Sequence, residues 1–122
     1  MNFKELRVYQ RNEQRSELGK LPDNFYVEVN NYCKSLEENK DYNTLGNVLS
    51  IVNIIKQKRI IKLMNHAFFY QHHANDLDDV SERIPNITSL ETSLFIKFVK
   101  NLTEFEEYVT QECEYLKKDN KG

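Results

Sequence analysis

The stretch "KLPDNFYVEVNNYCKSLEEN" (residues 20–39) decides how the chain is read. Leu21, Pro22 and Asp23 make a corner, because proline fixes its own φ and biases the residue before it toward extended backbone. Asp23 then stands where a carboxylate can accept from the free N–H groups of a starting helix. Phe25, Tyr26, Val29, Tyr32, Cys33 and Leu36 follow at spacings of one, three, three, one and three. That is a narrow apolar seam along one side of a helix, and the corner sets the angle at which it docks.

The same helical period extends outward in both directions. Upstream, residues 2–16 predict a helix with Phe3, Leu6 and Tyr9 on one side, and Gly19 and Pro22 frame the turn after it. Downstream, the polar break "ENKDYN" precedes a long helix over 44–70. On a helical wheel Leu45, Val48, Val52 and Ile55 share one face of its first half, whereas Ile60, Ile61, Met64 and Phe68 cluster roughly opposite in its second half. Such a helix reads as a hub with different neighbours along its length. A polar loop, 71–85, ends at Pro85. "TSLE" (88–91) fits a capping box that opens the last helix. Its stripe of Leu94, Phe98, Leu102, Phe105, Val109, Cys113 and Leu116 continues to the tail, where "KKDNKG" frays.

Three Gly, two Pro and no Asn-Gly or Asp-Gly pair leave no hairpin signal. The expected fold is therefore all-α: an elongated bundle of about four helices, two of them long, in one domain over 2–118 with a polar tail at 119–122. Two helices of about 27 and 30 residues would each reach roughly 40–45 Å. A compact chain of this length has a diameter near ~35 Å. Apolar stripe should then be left over at the ends, and such surface normally meets another chain. An oligomer is expected.

Composition excludes little. Lys and Arg number 17 against 19 Asp and Glu, so net charge argues neither for nor against nucleic acid. At 39% hydrophobic with seven Phe and seven Tyr, the chain can bury a core. Cys33 and Cys113 match no metal or redox spacing and read as reduced core thiols. The N-terminus, charged from Lys4, does not resemble a signal peptide, and no apolar run spans a bilayer. A soluble protein of the cytoplasm is expected, without contact to membrane.

Chemistry is thinly represented. His66, His72 and His73 could approach one another, but no Cys or paired carboxylate completes a zinc shell, so no metal and no cofactor is expected. No phosphate loop, nucleophile elbow or metalloprotease motif occurs, and no catalytic residue is assigned. Two basic stripes stand out. Lys4, Arg7, Arg11 and Arg15 fall within about 80° of one another on the first helix. Lys58, Arg59 and Lys62 form a second patch, with His66 beside it. Either could follow a phosphate backbone or face the acids of a partner, or simply be solvated. Aromatics are not interleaved with them, which argues against base stacking.

The order of these features resembles a known family. "KLPDNFY" with its corner of Leu21, Pro22, Phe25 and Tyr26, then "KQKRIIKL" with Lys56, Arg59 and Ile60, then "ITSLETSLFIKFV" with Ile87, Thr88 and Glu91 is similar to the α-helical A domain of GINS proteins, in the archaeal-like, A-domain-first type. The resemblance spans 2–118. It implies a non-catalytic scaffold in DNA replication that assembles with sister GINS subunits into a homo- or heterotetramer. It further implies binding and activation of the MCM replicative helicase together with a RecJ-like partner, in the cytoplasm or, in a eukaryote, the nucleus. Interface or core roles then fall to Leu21, Pro22, Phe25, Tyr26, Ile60, Met64, Phe68, Leu94, Phe98, Leu102, Phe105 and Val109, and the basic stripes to DNA or an acidic partner. Subunits of this type usually carry a β-rich B domain after the A domain, so an A-domain-only or truncated form is expected here. A small helical nucleic-acid-binding protein using its basic faces is the alternative reading.

Overall fold

The computed structural model of the chain describes residues 1–70 and 80–119. These form α1 (Phe3–Asn12), α2 (Phe25–Glu38), α3 (Tyr42–Tyr70), α4 (Val80–Arg83), α5 (Ser89–Glu112) and α6 (Glu114–Asp119), with no strand among the described residues. The all-α expectation holds.

The starts of α1, α3 and α5 have local causes. The Asn2 side chain accepts from Glu5 N–H at 2.8 Å and opens α1. Asp41 accepts from Thr44 N–H at 3.2 Å at the head of α3. Thr88 and Glu91 form the expected capping box of α5. Asp23 behaves differently from expectation. The helix it precedes is capped at Asn24 without any side-chain bond. Asp23 instead accepts from the Ser89 N–H at 2.8 Å and hydroxyl at 2.9 Å, at the first turn of α5. These two bonds hold its carboxyl below the usual range. The corner thus clips onto a helix 66 residues away.

α3 is the hub: α1 and α2 pack with its first half and α5 with its second, but along one buried line rather than on the two opposite sides its pattern suggests. Two cores result. One gathers Leu6, Leu21, Phe25, Val29, Leu36, Val48, Ile51, Val52 and Ile55, with Tyr9 edge-on to Phe25 at 5.7 Å. The other gathers Leu18, Leu63, Ala67, Val80, Ile84, Phe95 and Val99, with Tyr70 edge-on to Phe95 at 5.5 Å. α3 and α5 run in the same direction, since Ile60 shares a groove with Leu94, and Met64 and Phe68 share one with Phe98 and Leu102. In this register α5 projects past Tyr70, the last described residue of α3, from about Glu104, roughly 13 Å of helix.

Several expectations are corrected. The inward face of α3 is one line, Val48, Val52, Ile55, Arg59, Leu63 and Ala67; Ile61, Met64 and Phe68 are exposed instead. On α5 the buried residues are Glu91, Phe95 and Val99, so Leu94, Phe98 and Leu102 lie half-buried at the flank and Phe105 is exposed. The apolar arc of "LFIKFVKNL" is wide enough that spacing alone allows either register. α1 ends at Asn12, four residues early, because Glu13 turns inward; Arg15 therefore leaves the stripe of Lys4, Arg7 and Arg11. The last helix breaks at Cys113, where the backbone is extended, and nothing in the nearby sequence marks this break. Cys113 is exposed and so is not a core thiol, whereas Cys33 is half-buried and packs against the first core.

Candidate functional site: a buried arginine hub and the apolar groove beside it

Between the two cores, one turn after Ile55 and one before Leu63, α3 places Arg59 at 1% exposure. A buried guanidinium is tolerated only when every donor is met. Here all five are. Nε donates to Glu91 Oε2 at 2.6 Å and Nη2 to Glu91 Oε1 at 2.7 Å, a bidentate fork. Nη1 donates to Glu13 Oε1 and to the Gly19 carbonyl, both at 2.6 Å, and Nη2 also to the Asn86 carbonyl at 2.9 Å. One turn on, Lys62 donates to Glu13 Oε2, the Glu13 carbonyl and the Glu17 carbonyl.

The hub ties together every segment that meets there. Glu13 and Gly19 bring the end of α1 and its following turn. Asn86, at φ 68°, turns the chain before α5 and donates its amide to the Leu18 carbonyl at 3.2 Å. Asparagine tolerates this left-handed backbone better than most residues. Glu91 both grips Arg59 and closes its own capping box. Burial alone would lower the Arg59 pKa, but Glu91 and Glu13 outweigh it and push it above the ordinary arginine value. Burial alone would raise Glu13; donors from Lys62, Gly19 and Arg59 outweigh it and hold the carboxyl below its usual range.

Gly19 is required by close approach. A Cβ there would stand 3.1 Å from Glu13 Oε1 and 3.3 Å from the Asn12 carbonyl carbon. Glu13 cannot yield, since Arg59 and Lys62 hold both its oxygens. Gly19→Ala should therefore destabilise by about 1–3 kcal/mol, the usual range for overpacking. A urea melt reading no loss would show that the hub is slack.

Arg59 and Lys62 are thus not a surface stripe, which corrects the second basic patch. Helical spacing beside "KQK" mimics a solvated face, while the pairing acids come from 46 and 32 residues away. Lys58 is half-buried. On α1, Lys4, Arg7 and Arg11 are exposed, with Arg7 near Gln10 Oε1 at 3.5 Å. His66 is half-buried; His72 and His73 lie outside the described residues. Among the described residues no group of side chains could hold a metal ion, and no helix is long and apolar enough to cross a membrane.

Beside the hub, α3 and α5 leave an apolar groove. Its first section, about 490 Å³, is lined by Tyr26, Ile60, Leu63, Leu90 and Leu94, with Lys56 and Lys97 on its walls. The next section, about 330 Å³, is lined by Met64, Phe68, Phe98 and Leu102. Met64 is 52% exposed, Phe68 60% and Phe105, on the projecting part of α5, 64%. Val109 is half-buried. Of the corner, Leu21 and Phe25 are core, Pro22 and Tyr26 half-buried. Burial is the main cause that raises the Tyr26 hydroxyl pKa. Spacing did not single out Glu13, Glu91 as an arginine partner, or Phe95 and Val99 as core. Only the coincidence of Glu91 with the capping box was visible.

Comparison with known proteins agrees with this architecture. No curated protein and no solved structure matches the chain. The family described as the GINS complex protein helical bundle domain matches residues 1–110. Nearly the whole bundle is covered, from the first helix to the projecting part of α5, and the chain belongs to the GINS family.

Proposed function

We propose that the chain acts as a non-catalytic scaffold subunit of the GINS complex in DNA replication, in the cytoplasm or nucleus. It packs against sister subunits and helps hold the MCM helicase, with a RecJ-like partner, in its active arrangement. Family membership supports the first part. The observation that carries the scaffold reading is the uncovered strip of Met64, Phe68 and Phe105, each more than half exposed on long, rigid helices. Large apolar side chains left exposed together on a surface mark a protein contact more often than idle surface. The corner, clipped to α5 through Asp23, keeps that groove in shape.

Met64→Glu with Phe68→Glu should leave helicity unchanged, because both side chains already face solvent. The same pair should abolish co-purification with sister subunits. The check is a pull-down of sister GINS subunits and MCM with both forms of the chain. Wild-type chain that captures neither would overturn the scaffold reading. Arg59 and Lys62 have their donors engaged inside, so a direct DNA reading would rest on Lys4, Arg7 and Arg11 of α1, with Arg15 and Lys58 apart from them.

A further inference from the structure

We propose that α5 pairs antiparallel with the α5 of a second copy of this chain, about a dyad near Leu102. The proposal rests on the scaffold reading, whose groove it fills. Its basis is a charge boundary on α5. Lys97 and Lys100 stand before Leu102 with no acid between Glu91 and Glu104; Glu104, Glu106, Glu107, Glu112 and Glu114 follow with no Lys or Arg before Lys117. Lys97, Lys100, Glu104 and Glu107 are all exposed and fall within about 80° of one another on the helix. Beside them runs the apolar line of Leu94, Phe98, Phe105 and Tyr108.

Antiparallel pairing at Leu102 sets Lys97 against the copy's Glu107, each five residues from the dyad. It sets Lys100 against the copy's Glu104, each two residues away. Parallel pairing would oppose like charges, which is disfavoured. Among the described residues neither lysine forms an ion pair within its own chain. Lys100 and Glu104 are spaced to pair along the helix, yet Glu104 accepts from the Tyr108 hydroxyl at 3.0 Å instead.

Shape agrees with charge. The part of α5 past the level of Tyr70 carries Phe105 at 64% and Tyr108 at 57% exposure. Counted from the dyad, Phe105 lies level with the copy's Val99 and Tyr108 with its Ile96, the stretch of α5 beside which the groove section of Met64, Phe68 and Phe98 gives way to that of Ile60 and Leu94. A two-fold operation brings each projection into the other copy's groove, so one contact satisfies both surfaces.

The test is sedimentation of the full chain across concentration and salt. Wild type should dimerise, less tightly as salt rises. Lys97→Glu with Lys100→Glu, and separately Glu104→Lys with Glu107→Lys, should each weaken self-association by on the order of tenfold or more, at unchanged helicity. Mixed together, the two variants should pair with each other, because each supplies the charges the other lacks. A monomeric wild type, or variants that fail to recover on mixing, overturns the pairing. If the chain is monomeric yet captures a sister subunit, the groove belongs to that subunit: the pairing fails and the scaffold reading stands. If it dimerises as described but captures neither sister subunit nor MCM, the scaffold reading fails alone.

Discussion

Arg59→Met should lower the unfolding free energy by about 3–5 kcal/mol at neutral pH, as is typical when one member of a buried ion pair is removed. The loss comes from the partners left behind. Glu13 and Glu91 would remain buried at 1% and 6% exposure without the guanidinium that satisfies them. Against a total stability of roughly 5–15 kcal/mol for a domain, that is a large share. Adding Glu13→Leu and Glu91→Leu should restore part of it, since apolar replacement of a whole buried network can be near neutral. Recovery should stay incomplete, because Lys62 would lose its carboxylate partner, keeping only the Glu13 and Glu17 carbonyls, and the Thr88 N–H would lose its acceptor. The check is urea unfolding of all forms; a single Arg59→Met variant within about 1 kcal/mol of wild type would contradict the hub.

The same network sets a pH dependence. The Glu13 carboxyl is held below its usual range in the folded chain, so folding favours its charged form. Its contribution is complete above the ordinary glutamate range, near ~4.3, and fades as pH falls through the lower folded value. Acid melts should therefore show stability dropping below that range, and Arg59→Met should flatten the drop.

The second large effect is expected at Phe95→Ala, which should destabilise by about 3–5 kcal/mol. Phe95 is fully buried, stands edge-on to Tyr70, and packs in the core formed with Leu63 and Val99. Phe105→Ala, by contrast, should stay within about 0.5 kcal/mol of wild type in the isolated chain, as for an exposed position. Thermal or urea melts of the two variants read the register of α5 directly. If the half-buried Phe98 proved more sensitive than Phe95, the inward face described above would be wrong.

How much of this was legible in the residues differs by element. Helix periods and the capping box are local or follow from simple repeats, so they could be read directly; the two-sided pattern that suggests a hub in α3 has a second side that largely faces solvent. The inward face of α5 could not, because Leu94, Phe95, Phe98 and Val99 cover too wide an arc for spacing to choose. The arginine hub was hidden for a different reason. Arg59 sits among Lys56, Lys58 and Lys62 and looks like one more solvated cation; only the fold brings Glu13 and Glu91 to it. Asp23 is ambiguous in the same way: a carboxylate just after a proline has the chemistry of a cap, but sequence does not say which helix it closes.

The double duty of Glu91 makes α5 a ruler. One carboxylate decides both where the helix begins and how high it stands against α3, so it cannot slide by a turn without breaking two attachments at once. Every residue counted from that anchor has a fixed height and azimuth. A single residue inserted between Val99 and Phe105 would lengthen the rod by only ~1.5 Å but swing everything beyond it through about 100°. The bundle would fold as before, while its far end pointed at a different neighbour.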